Sequence, residues 1–382
     1  GYGDALMDQL WGAASGTTVY TSAAGQTATY GNRGLGGMDF HRYRTGVAGA
    51  YNRDTVVSDF KELITYFQPD EIYTTSYWDS HGDHSSTSRF VTEALIALKQ
   101  EQAVIPGVRV FQSIVWPPNT GPCFNNNWPL AIGTVLPYPP FTPPPCVVPS
   151  TSLDWAAIHK FPVPAEMQAP LAADNLKWQV IDAYATADIV TYLRQFVRKD
   201  EFFWRYDFGT NLAHVAQVTV SSERVVNDVG AKEDAVDGLA HPNDEWMSEG
   251  VVGEWIQLSW PSPVRVGQVS LYDRIEPAAN VLSGTLTFSD GSSIAVGALP
   301  TGGKPLPLTF APRTVDWVRF TVNAGTGDVG GLAEIEVFGA LASSTANIPP
   351  HVVYGPSPAL ATIEASATTT VTVVGRDLDG DP

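Results

Sequence analysis

The stretch EIYTTSYWDSHGDH, at residues 71–84, decides the fold of the first half of the chain, because it joins a short strand to two closely spaced histidines. Before this stretch, residues 54–67 carry apolar side chains at helical spacing. The first six residues of the stretch itself, 71–76, have the composition of a strand. Apolar side chains return at helical spacing in residues 87–98. This order predicts an α/β arrangement with both histidines at the carboxyl end of the strand, where α/β enzymes keep their chemistry.

The tetrad His81-Gly82-Asp83-His84 is the candidate catalytic and metal-binding motif. Residues three apart on a helix are neighbours, so His81 and His84 can face one small volume. Imidazole is the commonest protein ligand for transition metals, and Asp83 could orient one of the rings. Capping or hydrogen-bonded histidines at a helix start would give the same sequence, so both interpretations stay open at this point.

Residues 30–205 resemble the second half of the PIG-L (LmbE-like) deacetylases. The resemblance rests on the segment at 51–54, on QPDEIY at 68–73, on the tetrad with Gly82 in place of the family's proline, and on segments 177–184 and 196–203. It implies a partial Rossmann-like parallel sheet and a zinc-dependent hydrolase that removes acetyl groups from N-acetylglucosamine-type sugars. It also implies that His84 is the zinc ligand, that His81 stabilises the oxyanion and that Asp83 is a supporting catalytic residue.

The family's first motif, A-H-P-D-D-E, has no counterpart between Gly1 and Tyr51. The resemblance implies that this motif supplies the other metal ligands and the general base. A near match, AHPNDE at residues 240–245, follows the tetrad and has Asn243 in place of the base carboxylate, so we do not expect a metal site there. We therefore expect residues 1–210 to be a deacetylase domain that lacks its N-terminal metal motif. One histidine and one flanking carboxylate cannot hold a catalytic zinc by themselves, because such a site usually needs three protein ligands.

Composition favours an exported, multidomain protein. The net charge of −18 repels polyanions, which disfavours nucleic-acid binding, and no apolar stretch approaches the ~20 residues of a membrane span. The only cysteines, Cys123 and Cys146, bracket a proline-rich insert. We expect a disulfide between them, and two reduced thiols or a metal pair are the alternatives. A disulfide indicates a secreted protein in an oxidising compartment.

From residue 214 onward the pattern changes to short alternating strands separated by turns. The turn at 289–292, SDGS, is a strong hairpin signal. This pattern predicts an all-β jelly-roll sandwich over residues 214–340. The predicted strands are 215–220, 254–260, 264–272, 283–288, 292–296, 315–322 and 332–338.

Residues 214–340 resemble the discoidin, or coagulation-factor type C, domain. The motifs that carry the resemblance are AVDG at 235–238, EWIQL at 254–258, VSLYDR at 269–274 and AEIEVFG at 333–339. It implies a module that often binds carbohydrate through loops at one end of the sandwich. The first candidates for sugar contacts are Trp246, Asp273 and Arg274, although Trp246 and Trp255 also suit core or rim packing. Asp237-Gly238 suits a turn or a calcium-supported loop.

Residues 341–350 have the composition of a linker, and residues 351–382 resemble the start of an Ig-like or cadherin-like repeat. The leading hypothesis is therefore a secreted deacetylase of N-acetylated sugars that its discoidin-like module holds on carbohydrate or cell-wall polysaccharide. The alternative is a non-catalytic adhesive or structural protein with a degenerate deacetylase domain. The unpaired insert and terminal strand also predict self-association.

Overall fold

The computed structural model describes residues 7–13, 15–31, 37–101, 108–115, 159–169, 172–183, 196–197, 200–206, 208–227, 229–242, 244–276 and 278–342. These residues form two compact units, one from the described parts of 7–115 and 206–342, the other from those of 159–205. Cys123, Cys146, nearly all of the predicted linker and residues 351–382 lie outside the described residues. Among the helices that the structure describes, none has the length and apolar character of a membrane span.

The N-terminal part of the first unit contains four helices and two strands. They are α1 (Met7–Trp11), α2 (Phe40–Thr45), α3 (Arg53–Phe67), β1 (Glu71–Thr75), α4 (Gly82–Gln100) and β2 (Arg109–Ser113). Strands β1 and β2 pair in parallel, and α4 lies between them in the chain and buries Phe90, Ala94 and Leu95 completely. This confirms the predicted helix, strand and helix, whereas a Rossmann-like sheet stays a prediction.

The second unit contains β3 (His159–Pro162), α5 (Leu176–Asp182) and β4, which runs Asp200–Tyr206. Strands β3 and β4 pair antiparallel, with His159 opposite Phe203. Helix α5 begins after Asn175, whose side chain accepts a hydrogen bond from the Trp178 amide at 3.0 Å. This N-cap satisfies one of the free amides at the start of the helix.

The remaining strands form an antiparallel sandwich. They are β5 (Gln217–Val220), β6 (Trp246–Met247), β7 (Trp255–Tyr272), β8 (Val281–Phe288), β9 (Ser293–Val296), β10 (Pro305–Gly325), β11 (Gly331–Leu332) and β12 (Glu334–Leu341). The first half of β7 pairs with β5 and with the end of β10, and its second half pairs with β12 and with the start of β10. One apolar core, which includes Ile256, Leu258, Val269, Leu271 and Phe320, lies inside.

Strand β7 shows how the two halves of the sandwich are joined. The sequence predicts two strands, 254–260 and 264–272, but the structure has one continuous strand across them. Pro261 and Pro263 are exposed and fall where the register between β7 and β10 shifts, so they remove no hydrogen bond from that ladder. The antiparallel sheets are consistent with the predicted jelly roll, and every other predicted strand overlaps an observed one.

Candidate functional site

The two tetrad histidines face each other at the amino end of α4. His81 is the residue before the helix, and His84 lies in its first turn. The centroids of the two rings are 4.6 Å apart, with 31° between the ring planes. The His84 side chain is 29% exposed, so one edge of this pair can meet solvent.

Asp79 holds the His84 ring in place. Its carboxylate is fully buried, and Oδ1 lies 3.1 Å from His84 Nδ1. The same carboxylate accepts hydrogen bonds from the amides of His81, at 3.0 Å, and Val115, at 2.7 Å. With Nδ1 donating to Asp79, the neutral His84 ring carries its lone pair on Nε2.

The predicted supporting residue, Asp83, has a different place. Its Oδ1 accepts a hydrogen bond from the amide of Met7 at 2.9 Å, which fixes the start of α1. The carboxylate of Asp79, which sequence analysis missed, contacts a tetrad ring. The only signal for Asp79 was an acidic residue two positions before His81, inside a loop without periodicity.

The described residues do not fit a catalytic zinc. Among the residues described here, no three His, Cys, Asp or Glu side chains converge on one point. Catalytic zinc sites usually have three protein ligands and an open position. We therefore derive no step through a metal.

The near match at 240–245 lies in the same unit as the tetrad, and its side chains make ring contacts and ion pairs. The His241 ring centroid is 5.2 Å from that of Trp78, and Asp244 Oδ2 is 2.7 Å from Arg89 Nη1 on α4. Burial alone would raise the pKa of Asp244, but the hydrogen bond with His241 and the charge of Arg89 lower it below its ordinary value. Asp244 is therefore the anionic partner of Arg89.

Two carboxylates close to this ion pair repel each other inside the sandwich. Asp237 Oδ1 accepts from the Leu239 amide at 2.8 Å, and Glu334 Oε2 accepts from the Gly238 amide at 3.2 Å. Burial and the charge of Asp244 raise the pKa of the Asp237 carboxyl well above its ordinary value, and burial and the charge of Asp237 do the same for Glu334. Glu334 is 2% exposed, and its Oε1 has no hydrogen-bond partner among the described residues.

The predicted sugar-contacting residues lie inside the protein, which corrects the sequence interpretation. Trp246 is fully buried and donates from Nε1 to the Ser222 carbonyl at 3.1 Å. Asp273 is fully buried as well and accepts hydrogen bonds from the amides of Arg274 and Val281. Arg274 is 7% exposed. These side chains are enclosed by protein groups, and their hydrogen bonds stabilise the sandwich.

Arg274 forms a buried ion pair across the sandwich. Its Nε and Nη2 donate to Glu245 Oε1 at 3.0 and 2.6 Å, and its Nη1 donates to the Val329 carbonyl at 3.1 Å. Burial raises the pKa of Glu245 although the charge of Arg274 opposes that shift. The hydrogen bonds of this guanidinium go to protein groups, so Arg274 stabilises the fold.

Residues 211–338 match a family described as a domain of unknown function (DUF7402). A comparison with curated proteins finds no match. None of the comparisons supports a PIG-L deacetylase in the N-terminal residues.

Solved structures that the chain resembles include proteins whose names describe sugar binding. One is a fucolectin from striped bass (Morone saxatilis) serum, with 18% identity over 36% of this chain and a TM-score of 0.32; the match spans 51% of the lectin. A second is a fucose-binding module of Streptococcus pneumoniae, which is 20% identical in sequence. The match covers 34% of this chain and 94% of the module, with a TM-score of 0.28. A third is a chitosan-binding module of a Paenibacillus chitosanase/glucanase, which is 31% identical in sequence. The match covers 34% of this chain and 98% of the module, with a TM-score of 0.28.

Proposed function

We propose that this protein binds carbohydrate through its C-terminal sandwich and thereby attaches to polysaccharide outside the cell. The observation that carries the proposal is that residues 217–341 form an antiparallel sandwich over the residues whose motifs resemble the discoidin domain. In such sandwiches the core fixes the strands, and the outer surfaces are left for ligands. The net charge of −18 favours an uncharged glycan over an acidic one.

The test is retention of the whole chain by insoluble polysaccharide. Chitin and cellulose particles are mixed with the protein and sedimented, and the protein left in the supernatant is measured. We expect depletion that a soluble oligosaccharide of the same sugar reverses. Equal recovery with and without every polysaccharide would contradict the proposal.

We further propose that the N-terminal part takes part in removing acetyl groups from N-acetylated sugars. The resemblance of residues 30–205 supports this second function, and so does the Asp79–His84 pair, with His81 facing the same ring. A buried carboxylate that fixes the tautomer of a partly exposed histidine is an arrangement typical of a general base. In this proposal His81 donates a hydrogen bond to the developing oxyanion.

His84→Ala is expected to lower acetate release from N-acetylglucosamine oligomers by about 100-fold or more, because general acid–base groups contribute 10²–10⁴-fold. The assay measures released acetate from the whole chain. The matched control is His41→Ala, which removes a histidine that is also paired with a carboxylate, Asp59, at 2.7 Å, outside the tetrad. Equal losses in both variants, or no loss with His84→Ala, would contradict the assignment.

A calcium ion is the cofactor that we propose for the sandwich. Glu334 presents a buried oxygen without a partner among the described residues, and Asp237 adds a second carboxylate whose charge a cation would neutralise. Calcium prefers oxygen ligands and completes its six to eight with backbone carbonyls and water. These residues therefore fit calcium better than they fit zinc.

Saturating calcium is expected to stabilise the sandwich against urea, by about 2.7 kcal/mol when the ion is present at 100 times its Kd. Glu334→Gln should abolish this gain, because it removes the charge and the free carboxylate oxygen. Glu336→Gln is the matched control, since Glu336 is partly exposed and accepts a hydrogen bond from the Tyr272 hydroxyl. An unfolding midpoint that calcium leaves unchanged in the wild-type chain would contradict the proposal.

A further inference from the structure

The six-stranded sheet of the sandwich, which contains β5, β7, β8, β9, β10 and β12, carries two partly exposed tryptophans, Trp255 and Trp317. Along β7 and β10, buried residues that face the core alternate with partly exposed residues that face outward. The buried residues are Ile256 and Leu258 on β7, and Val318 and Phe320 on β10. The strand register places one outward-facing residue from each of four adjacent strands in a row across the sheet. That row is Thr219, Gln257, Arg319 and Thr287.

Arg319 lies between the two indoles. Its guanidinium carbon is 4.2 Å from the ring centroid of Trp255 and 5.7 Å from that of Trp317. Its Nε and Nη2 donate to Gln257 Oε1 at 3.0 and 2.7 Å, so the amide holds the guanidinium in position. Among the described residues Arg319 has no carboxylate partner, although the chain has 40 acidic residues and only 22 lysines and arginines.

This face, which we name the Trp255–Trp317 face, has the chemistry that an uncharged polysaccharide needs. A pyranose ring has apolar C–H faces, which pack on indoles, and hydroxyl groups at its edge. Arg319 keeps donors that are not used by Gln257, and threonine hydroxyls lie along the same row. The four members of the row carry no negative charge, and their side chains offer hydrogen-bond donors and acceptors to sugar hydroxyl groups.

We infer that the Trp255–Trp317 face binds a chain of an uncharged polysaccharide laid across the strands. This inference rests on the proposed carbohydrate binding and names its surface and ligand class. An open sheet surface contacts internal sugar units, whereas a pocket at the end of a sandwich selects a terminal sugar. The charge of the whole chain, −18, opposes an acidic polysaccharide on the same surface.

The experiment measures binding of the full chain to chitin, to cellulose and to a soluble polyuronate, at low and at high salt. We expect binding to a neutral polymer that salt leaves unchanged. Trp255→Ala and Trp317→Ala should each weaken it by about ten-fold or more, as for truncation of an aromatic residue central to an interface. Arg319→Lys should retain more affinity than Arg319→Ala, because it keeps a donor and a charge.

The matched control is Tyr66→Ala, which removes an aromatic side chain that is 69% exposed on α3. Unfolding midpoints of all variants show whether the sandwich stays folded, and Trp255→Phe preserves an aromatic surface if an alanine variant does not fold.

Unchanged affinity in folded Trp255 and Trp317 variants, with the wild type still bound, would overturn the inference and leave the carbohydrate proposal standing. Binding only to the polyuronate, lost at high salt, would overturn the ligand class. A wild-type chain that binds no polymer would remove both proposals.

Discussion

Trp246→Ala is expected to reduce the free energy of unfolding of the sandwich by about 3–5 kcal/mol, the range for truncating a buried aromatic side chain. The indole is fully buried, and its Nε1 is satisfied by the Ser222 carbonyl. Its removal leaves a cavity and takes a hydrogen bond away from the Ser222 carbonyl, and both changes destabilise the fold. Urea unfolding followed by far-UV circular dichroism gives the value.

The comparison with Trp255→Ala makes this prediction specific. Trp255 is partly exposed, so its loss should cost about 1 kcal/mol or less. The two variants should therefore separate stability from binding: Trp246→Ala destabilises, and Trp255→Ala weakens polysaccharide binding. A Trp246→Ala variant with unchanged stability and lost sugar affinity would restore the original sequence interpretation.

Arg274→Ala is expected to destabilise the sandwich by about 3–5 kcal/mol, because it leaves the Glu245 carboxylate buried without its cation. The two side chains are only 8% and 3% exposed, so water cannot replace the lost partner. Thermal and urea unfolding measure the loss. Arg319→Ala serves as the matched control, since it removes a partly exposed arginine from the same sandwich.

The double variant Glu245→Met/Arg274→Met should be more stable than Arg274→Ala. Replacing both members of a buried ion pair by apolar residues removes the uncompensated charge that a single substitution leaves. The two residues do not act as a pair if the double variant loses as much unfolding free energy as the Glu245→Met and Arg274→Met variants lose together. That result would contradict the structural role assigned to Arg274.

The fold could be predicted because it depends on local periodicity. Alternation in residues 254–260 and 315–322 places every second residue in the core, and helical spacing in residues 54–67 and 87–98 matches α3 and α4. These signals need no knowledge of distant contacts. The helix, strand and helix around the tetrad were therefore predicted with nearly correct ends.

The site residues could not be predicted in the same way, because their burial depends on pairing across long stretches of sequence. Strand β6 has only two residues, and Trp246 is covered by its pairing with β11, where Gly331 has a positive φ and lies too close to the Trp246 carbonyl for a side chain. The contact of Arg319 with Trp255 likewise depends on the register between β7 and β10. Asp79 lies in a loop that folds back on His84, a contact that no periodic pattern in the sequence indicates.

The central claim is that this chain recognises carbohydrate, and affinity electrophoresis tests it most directly. The full chain is run in native gels with and without a soluble neutral glycan, such as a chitin derivative, beside a non-binding reference protein. The account predicts retarded migration in the glycan gel, reversed by free oligosaccharide. Identical mobility with and without every glycan would contradict it.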